Sequence, residues 1–309
     1  EMALPILHID EPTLQMTFGT NSSPFVGKEG KLLTARQIED RLYRETQRDV
    51  SLKVEPADAE SFLVSGRGEL HLSILIENMR REGYELEVSK PVVILKEIDG
   101  EKYEPWEELQ IETPEETVGS VIEQLGTRGA IMESMTNFGN LVRLHYTIPS
   151  RGLIGFMTDF MTLTKGYGII NHTFQEYRPF QNIQIGERKL GVLVSTENGK
   201  SSAYALGQLE DRGVMFIEPA TEVYEGMIVG ECNRENDLAV NVVKGKQLTN
   251  MRAASADKTV VLKRPRPITL EYALDYINND ELVEVTPVSI RLRKRILNTE
   301  QRKKFDARK

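Results

Sequence analysis

The sequence predicts an α+β fold, and three observations carry the prediction. One order of elements, β-α-β-β-α-β, is written twice in succession, an Arg-Gly pair stands at the same place in each copy, and the rest alternates short apolar runs with Gly, Asn and Asp. The first copy takes residues 11–95 and the second 96–180; a linker remnant precedes them at 1–10, and a mostly β third domain with one well-marked helix follows at 181–309.

Residues 13–20 (TLQMTFGT) form the first strand of the first copy. Thr34 with Gln37 makes a capping box, since the hydroxyl can accept from the third helical amide while the Gln side chain returns to the cap amide; the helix runs from Ala35 to about Glu45. Residues 50–55 (VSLKVE) and 61–65 (SFLVS) are a strand pair around Pro56. Glu69 to Arg81 is a helix, with Leu72, Leu75, Ile76 and Met79 on one apolar stripe. Gly83 stops it, and residues 84–89 (YELEVS) are the last strand before Pro91.

The second copy opens with a strand at 106–112 (WEELQIE). Thr113 as cap, Pro114 at the first helical position and Glu116 as capping-box partner predict a helix to about Arg128, stopped by Gly129. Residues 130–136 and 141–148 make a hairpin turned at 137–140, and Leu153 to Thr164 is the second helix. Gly166 and Gly168 bracket its end before the strand at 169–177.

This order describes two consecutive ferredoxin-like units, each a four-stranded antiparallel sheet with two helices on one face. Arg67-Gly68 and Arg151-Gly152 then occupy equivalent corners, where the third strand turns into the second helix. A guanidinium beside free helix amides can hold a phosphate, or can be plain surface charge, and the residues leave both open. In the third domain, residues 189–195, 214–218, 221–230, 258–262 and 288–293 are predicted strands. Thr269 caps a helix from Leu270 to Ile277 with Leu270, Ala273, Leu274 and Ile277 on one face.

A chain of 309 residues with 39% apolar content can build two or three cores. The single cysteine, Cys232, excludes an intrachain disulfide and fits a reducing, cytoplasmic setting, and no run approaches the ~20 apolar residues of a membrane span. The opening EMALPILHID lacks the features of a signal peptide and resembles a cut at a linker. The net charge of −8 hides an asymmetry: residues 291–309 hold nine Lys/Arg against two Asp/Glu, and residues 243–267 hold seven against one. An anionic partner at one end of the molecule is the expectation.

In the first basic stretch, alternation along a strand places Arg291, Arg293 and Arg295 on one face as a positive ridge, and the last residues to Lys309 are expected to fray. In the second, residues 240–258 carry little helix or strand signal. Lys244, Lys246 and Arg252 are candidate phosphate contacts there, with a solvated basic loop as the plain alternative.

Catalytic and metal motifs fail on inspection. NGKS (198–201) resembles the tail of a phosphate-binding loop, but position 194 is Val where a Gly is needed, so a hairpin turn is expected. GKEGK (27–31) lacks the Ser/Thr and is expected to be a flexible basic loop, and GRGEL (66–70) lacks the third Gly of a dinucleotide fingerprint. His8, His71, His145 and His172 have no ligand partner three or four residues on, and Cys232 has no local acid-base neighbour. No metal, cofactor or catalytic residue is assigned.

The stretch SGRGELHLSILIENMRREGYELEVSKP (65–91) resembles the third domain of the ribosome-binding translational GTPases related to elongation factor G. Residues 21–42 (NSSPFVGKEGKLLTARQIEDRL), 148–156 (IPSRGLIGF), 222–230 (EVYEGMIVG), 244–255 (KGKQLTNMRAAS) and 279–295 (NDELVEVTPVSIRLRKR) extend the likeness, in order, to the BipA (TypA) family. The resemblance implies the C-terminal half of such a protein: a third domain at 11–95, a fifth-type domain at 96–180 and a family-specific C-terminal domain at 181–309. It implies no GTP hydrolysis by this piece, with GTP and Mg belonging to a domain outside it. It further implies the 70S ribosome, 23S rRNA and tRNA as partners, a role in large-subunit assembly and stress responses, and a monomeric chain that touches the tRNA acceptor end through Lys244, Lys246 and Arg252. Without the resemblance, the same tandem also suits a small-molecule-sensing regulatory module with its ligand in the groove between the units.

Overall fold

The computed structural model describes residues 11–186, 188–245 and 261–307. In the first unit, β1 (Leu14–Thr20) buries Leu14, Met16 and Phe18, and α1 (Ala35–Thr46) starts at the expected capping box. There Thr34 Oγ1 accepts from the Gln37 amide at 3.3 Å while Gln37 Oε1 accepts from the Thr34 amide at 3.0 Å. β2 (Lys53–Pro56) and β3 (Ser61–Gly66) follow, then α2 (Glu69–Arg81), which buries the stripe Leu72, Leu75, Ile76 and Met79, then β4 (Leu86–Val88). The strands lie antiparallel in the order β4-β1-β3-β2.

Two short strands, β5 (Val92–Val93) against β1 and β6 (Lys96–Ile98) against the next strand, lead into the second unit. It contains β7 (Glu101–Pro114), α3 (Val118–Thr127), β8 (Ile131–Phe138), β9 (Leu141–Pro149), α4 (Ser150–Leu153), α5 (Phe156–Leu163) and β10 (Ile169–Pro179). Its antiparallel order, β10-β7-β9-β8, matches that of the first unit strand for strand.

Two helix expectations fail here. Thr113 and Pro114 do not start α3: β7 stays paired with β9 as far as Pro114 opposite Leu141, and the fully buried Thr113 hydroxyl meets the Thr117 hydroxyl at 2.7 Å. A 3₁₀ turn at Glu115–Thr117 intervenes before the helix. Long-range sheet pairing thus overrides a strong local cap signal. The helix expected at 153–164 is broken at Gly155, whose φ of +76° falls in the left-handed region, into α4 and α5.

The remaining elements are β11 (Val192–Ser195), β12 (Gly199–Lys200), α6 (Ala203–Leu209), β13 (Gly213–Met215), β14 (Glu222–Val223), β15 (Met227–Cys232), β16 (Leu238–Val240), α7 (Leu270–Tyr276), β17 (Glu281–Val285), β18 (Ile290–Lys294) and α8 (Thr299–Asp306). Thr269 caps α7 as expected, its hydroxyl accepting from the Tyr272 amide at 3.2 Å. Two further helices, α6 and α8, correct the expectation of one, and α8 lies where fraying was expected, capped by Asn298. Among the predicted strands, residues 258–260 lie outside the described residues, and 261–262 are not in a strand.

The first unit and this last segment share one sheet. β4 pairs with β17, giving eleven strands in the order β16-β11-β15-β18-β17-β4-β1-β3-β2, with β13 added on β15 and β5 on β1. One core runs beneath it, joining Leu72, Met79 and Leu86 to Leu270, Leu274, Val283 and Leu292. The second unit keeps its own core around Leu109, Val121, Leu144, Phe156 and Phe160. No described helix is long and apolar enough to cross a membrane.

Candidate nucleic-acid interface

The basic strand β18 alternates as expected, yet it does not present a positive ridge. Arg293 is 3% exposed, and its guanidinium donates to Glu87 Oε2 and Ser22 Oγ, both at 3.0 Å. Arg291 donates to Glu29 and, at 3.3 Å, to the fully buried Glu284, with its guanidinium 5.0 Å from the Phe25 ring. Only Arg295 is exposed, donating to the Asn279 carbonyl at 3.3 Å. On the opposite face, the Lys294 ammonium is held by Asp237 at 2.5 Å, Asp280 at 2.9 Å and Glu281 at 2.8 Å. Burial disfavours the charge on Lys294, but Glu281 and Asp237 outweigh it and raise the pKa.

The physical reason is a loop from the first unit. Residues 21–29 lie on β17 and β18, where Asn21 donates to Glu284 and Glu85, Ser23 donates to Glu284 at 2.6 Å, and Glu29 accepts from Thr286, Ser289 and Arg291. Burial would raise the Glu29 pKa, but the hydrogen bonds from Thr286 and the charge of Arg291 hold it lower. The expected flexible GKEGK loop is thus anchored through its glutamate.

The second basic stretch is different. Lys246 and Arg252 lie outside the described residues, but both stems of the segment are fixed at the two ends of α6. At the N-terminal end, the Ser202 hydroxyl accepts from the Ala205 amide as cap and donates to the Lys244 carbonyl at 2.6 Å, while Asn241 Oδ1 accepts from the Val243 and Lys244 amides. At the C-terminal end, Glu210 Oε1 accepts from the Lys263 amide at 2.5 Å. Lys200, Lys244, Lys263 and Arg264 are exposed around these stems, and among the described residues none has a carboxylate within ion-pair distance. Lys200 is the residue that sequence reasoning passed over; its signal was the NGKS stretch, read only for phosphate-loop spacing.

That stretch does not fit a nucleotide. Gly199 and Lys200 pair with β14, a Cβ on Gly199 would meet Val243 at 2.9 Å, and the N-terminus of α6 is filled by its own serine cap. Asp237, Asp280 and Glu281 converge as metal ligands would, but around the Lys294 ammonium.

The two Arg-Gly corners diverge as well. Arg67 is exposed, and among the described residues no carboxylate lies within ion-pair distance of it. Gly68 caps α2 without a side chain, leaving the first amides of that helix free of a capping oxygen. The Arg151 guanidinium is consumed: it donates to the buried Glu104 at 2.6 Å and 3.2 Å and to the carbonyls of Gln181 and Ile183, and lies 4.9 Å from the Phe180 ring. Between the corners runs a cleft of about 460 Å³ lined by Arg67, Leu70, Ile74, Leu153, Met157 and His172. At its floor, His172 Nδ1 lies 2.5 Å from Glu107 Oε2, and that hydrogen bond raises the imidazole pKa against the opposing effect of burial.

Two family patterns match the chain: the elongation factor G C-terminus over residues 101–186 and the TypA/BipA C-terminal domain over residues 190–299. The large ribosomal subunit assembly factor BipA of Bacillus subtilis (strain 168) is 61% identical over 99% of this chain and 50% of its own length. Proteins of the same name from Synechocystis sp. and Escherichia coli (strain K12) are each 54% identical, over 94% and 98% of this chain and 49% and 50% of their own. The chain spans about half the length of the curated relatives it matches.

Proposed function

The chain belongs to the TypA/BipA family, and on that premise we propose that it is a ribosome-binding module acting in large-subunit assembly in the cytoplasm. The observation that carries the reading is the match, along nearly the whole chain, to relatives named as large-subunit assembly factors. In this reading the two repeated units are ferredoxin-like, and they and the C-terminal segment dock on RNA by shape and backbone charge, as structured RNA is mostly read. The phosphate contacts come from Lys244 with Lys200, Lys263 and Arg264 around the α6 bracket, from Lys246 and Arg252 between its stems, and from Arg67 and Arg295 as exposed outliers. 23S rRNA and the tRNA acceptor region are the proposed targets. Arg151, Arg291 and Arg293 serve the reading only as supports, because their guanidinia are committed to carboxylates. GTP hydrolysis, which the resemblance implies for the longer relatives, is not assigned to these residues.

Co-sedimentation with 70S ribosomes and with each separated subunit, over a salt series, tests the proposal. Binding should fall steeply with salt and weaken when Lys244, Lys246 and Arg252 are changed together to Ala. Binding that ignores salt, or that the triple variant retains, overturns it. The small-molecule-sensing alternative has one observation in its favour, the cleft between the units. It requires a ligand that raises the melting temperature with no salt-dependent ribosome binding.

A further inference from the structure

Three parts of the chain meet where Gly155 separates α4 from α5. The Gly155 amide donates to Glu69 Oε2, in the first turn of α2, at 3.0 Å. Asp275 of α7 packs against the same glycine so closely that a Cβ there would lie 3.0 Å from the Asp275 Cγ. The Asp275 and Glu69 carboxyl groups are within hydrogen-bonding reach of each other, and Asp275 Oδ1 is buried with no donor. Two ionised carboxylates offer each other only lone pairs, so their contact requires a proton. We propose that this junction is a proton-dependent clamp: closing α2, the α4–α5 break and α7 onto one another takes up one proton, which Asp275 donates to Glu69, and opening releases it to water.

The surroundings favour that proton. Asp159 on α5 adds a further negative charge to the junction. Arg128, at the end of α3, opposes it, but its guanidinium is already donating to the carbonyls of Gly152 and Ile154 and to Asp159 Oδ2. Arg188, Lys189 and Glu235 stand around the adjoining cavity of about 840 Å³. Burial, then the hydrogen bond and charge of Glu69, push the Asp275 carboxyl up to about 10, with Arg128 lowering it only in part.

An aspartate opened to solvent ionises near ~3.9. Between that value and the raised one, the closed junction holds one proton more than the open one. Closure is therefore favoured by acid and weakens as pH rises, by up to about tenfold in the closed-to-open ratio per pH unit. Neutral pH lies inside this window, so ordinary shifts in acidity change how firmly the second unit is held to the rest of the molecule. His172 and His71 line the neighbouring cleft, and a substitution at Asp275 isolates its contribution from theirs.

The experiment is amide hydrogen exchange of the full chain between about pH 5 and pH 9, expressed as protection factors so that intrinsic rates cancel. Protection of the Gly155 amide should fall by up to about tenfold per pH unit in the unsubstituted chain. In Asp275→Asn, whose side-chain amide donates to Glu69 at every pH, the dependence should flatten. A flat profile in the unsubstituted chain, or an unchanged slope in Asp275→Asn, overturns the clamp. A carbon-13 titration of the Asp275 carboxyl in the unsubstituted chain decides independently of whether the variant folds: the group stays protonated at neutral pH if the clamp exists, and a midpoint near ~4 overturns it.

Discussion

Lys294 and Lys244 carry the same ammonium, and their surroundings give it opposite uses. Lys294 neutralises Glu281, which is fully buried, together with Asp237 and Asp280. Lys294→Ala should cost about 1–3 kcal/mol in denaturant unfolding, because the buried Glu281 loses its ammonium partner while keeping the two hydrogen bonds from Arg188 at 2.8 and 2.9 Å. Lys244→Ala, at an exposed position, should stay within about 0.5 kcal/mol while weakening ribosome binding. His172 gives a pH test at the same scale. Glu107 raises its pKa above the ordinary 6.5, so the stability it adds is complete below that value and is lost as pH rises through the higher folded pKa. An NMR titration of His172 should show a midpoint above 6.5 that returns toward it in Glu107→Gln. Alternation along β18 correctly sorts its residues to two faces. What pattern within one strand could not show is what each face meets, since Glu87 and Glu29 lie 206 and 262 residues away from Arg293 and Arg291.

Helix α6 is only seven residues long, yet it holds both stems of the basic segment through Ser202 and Glu210. Ser202→Ala should cost about 1 kcal/mol as a lost cap, read from the unfolding midpoint, and should raise hydrogen exchange at Lys244 and its neighbours. So short a helix carries no periodic stripe to read, and its cap, Ser202, stands one residue beyond the NGKS stretch. Long elements with one strong local signal, the capping box of α1 and the apolar stripe of α2, were legible almost to the residue. Thr113 shows the opposite case, where three agreeing cap signals lost to the pairing of β7 with β9.

Across the whole molecule, both repeats were legible from the order of their elements, and the continuation of one sheet into the C-terminal segment was not. β17 is a predictable apolar run, but nothing local to Glu281–Val285 names β4 as its neighbour. That pairing has a consequence for fragments. A chain ended after residue 180 should bare the edge of β4 and the apolar face that α7 covers, and should elute in size-exclusion chromatography as a larger species than the full chain does.

The same pairing decides how the molecule would bear tension. Drawn apart by its two ends, the chain would load the β1-β4-β17-β18 ladder first, since those strands bind the outermost stretches of sequence to each other. The sheet from β7 to β10 lies between the grips but outside the line of force, and it should stay slack until that ladder gives way.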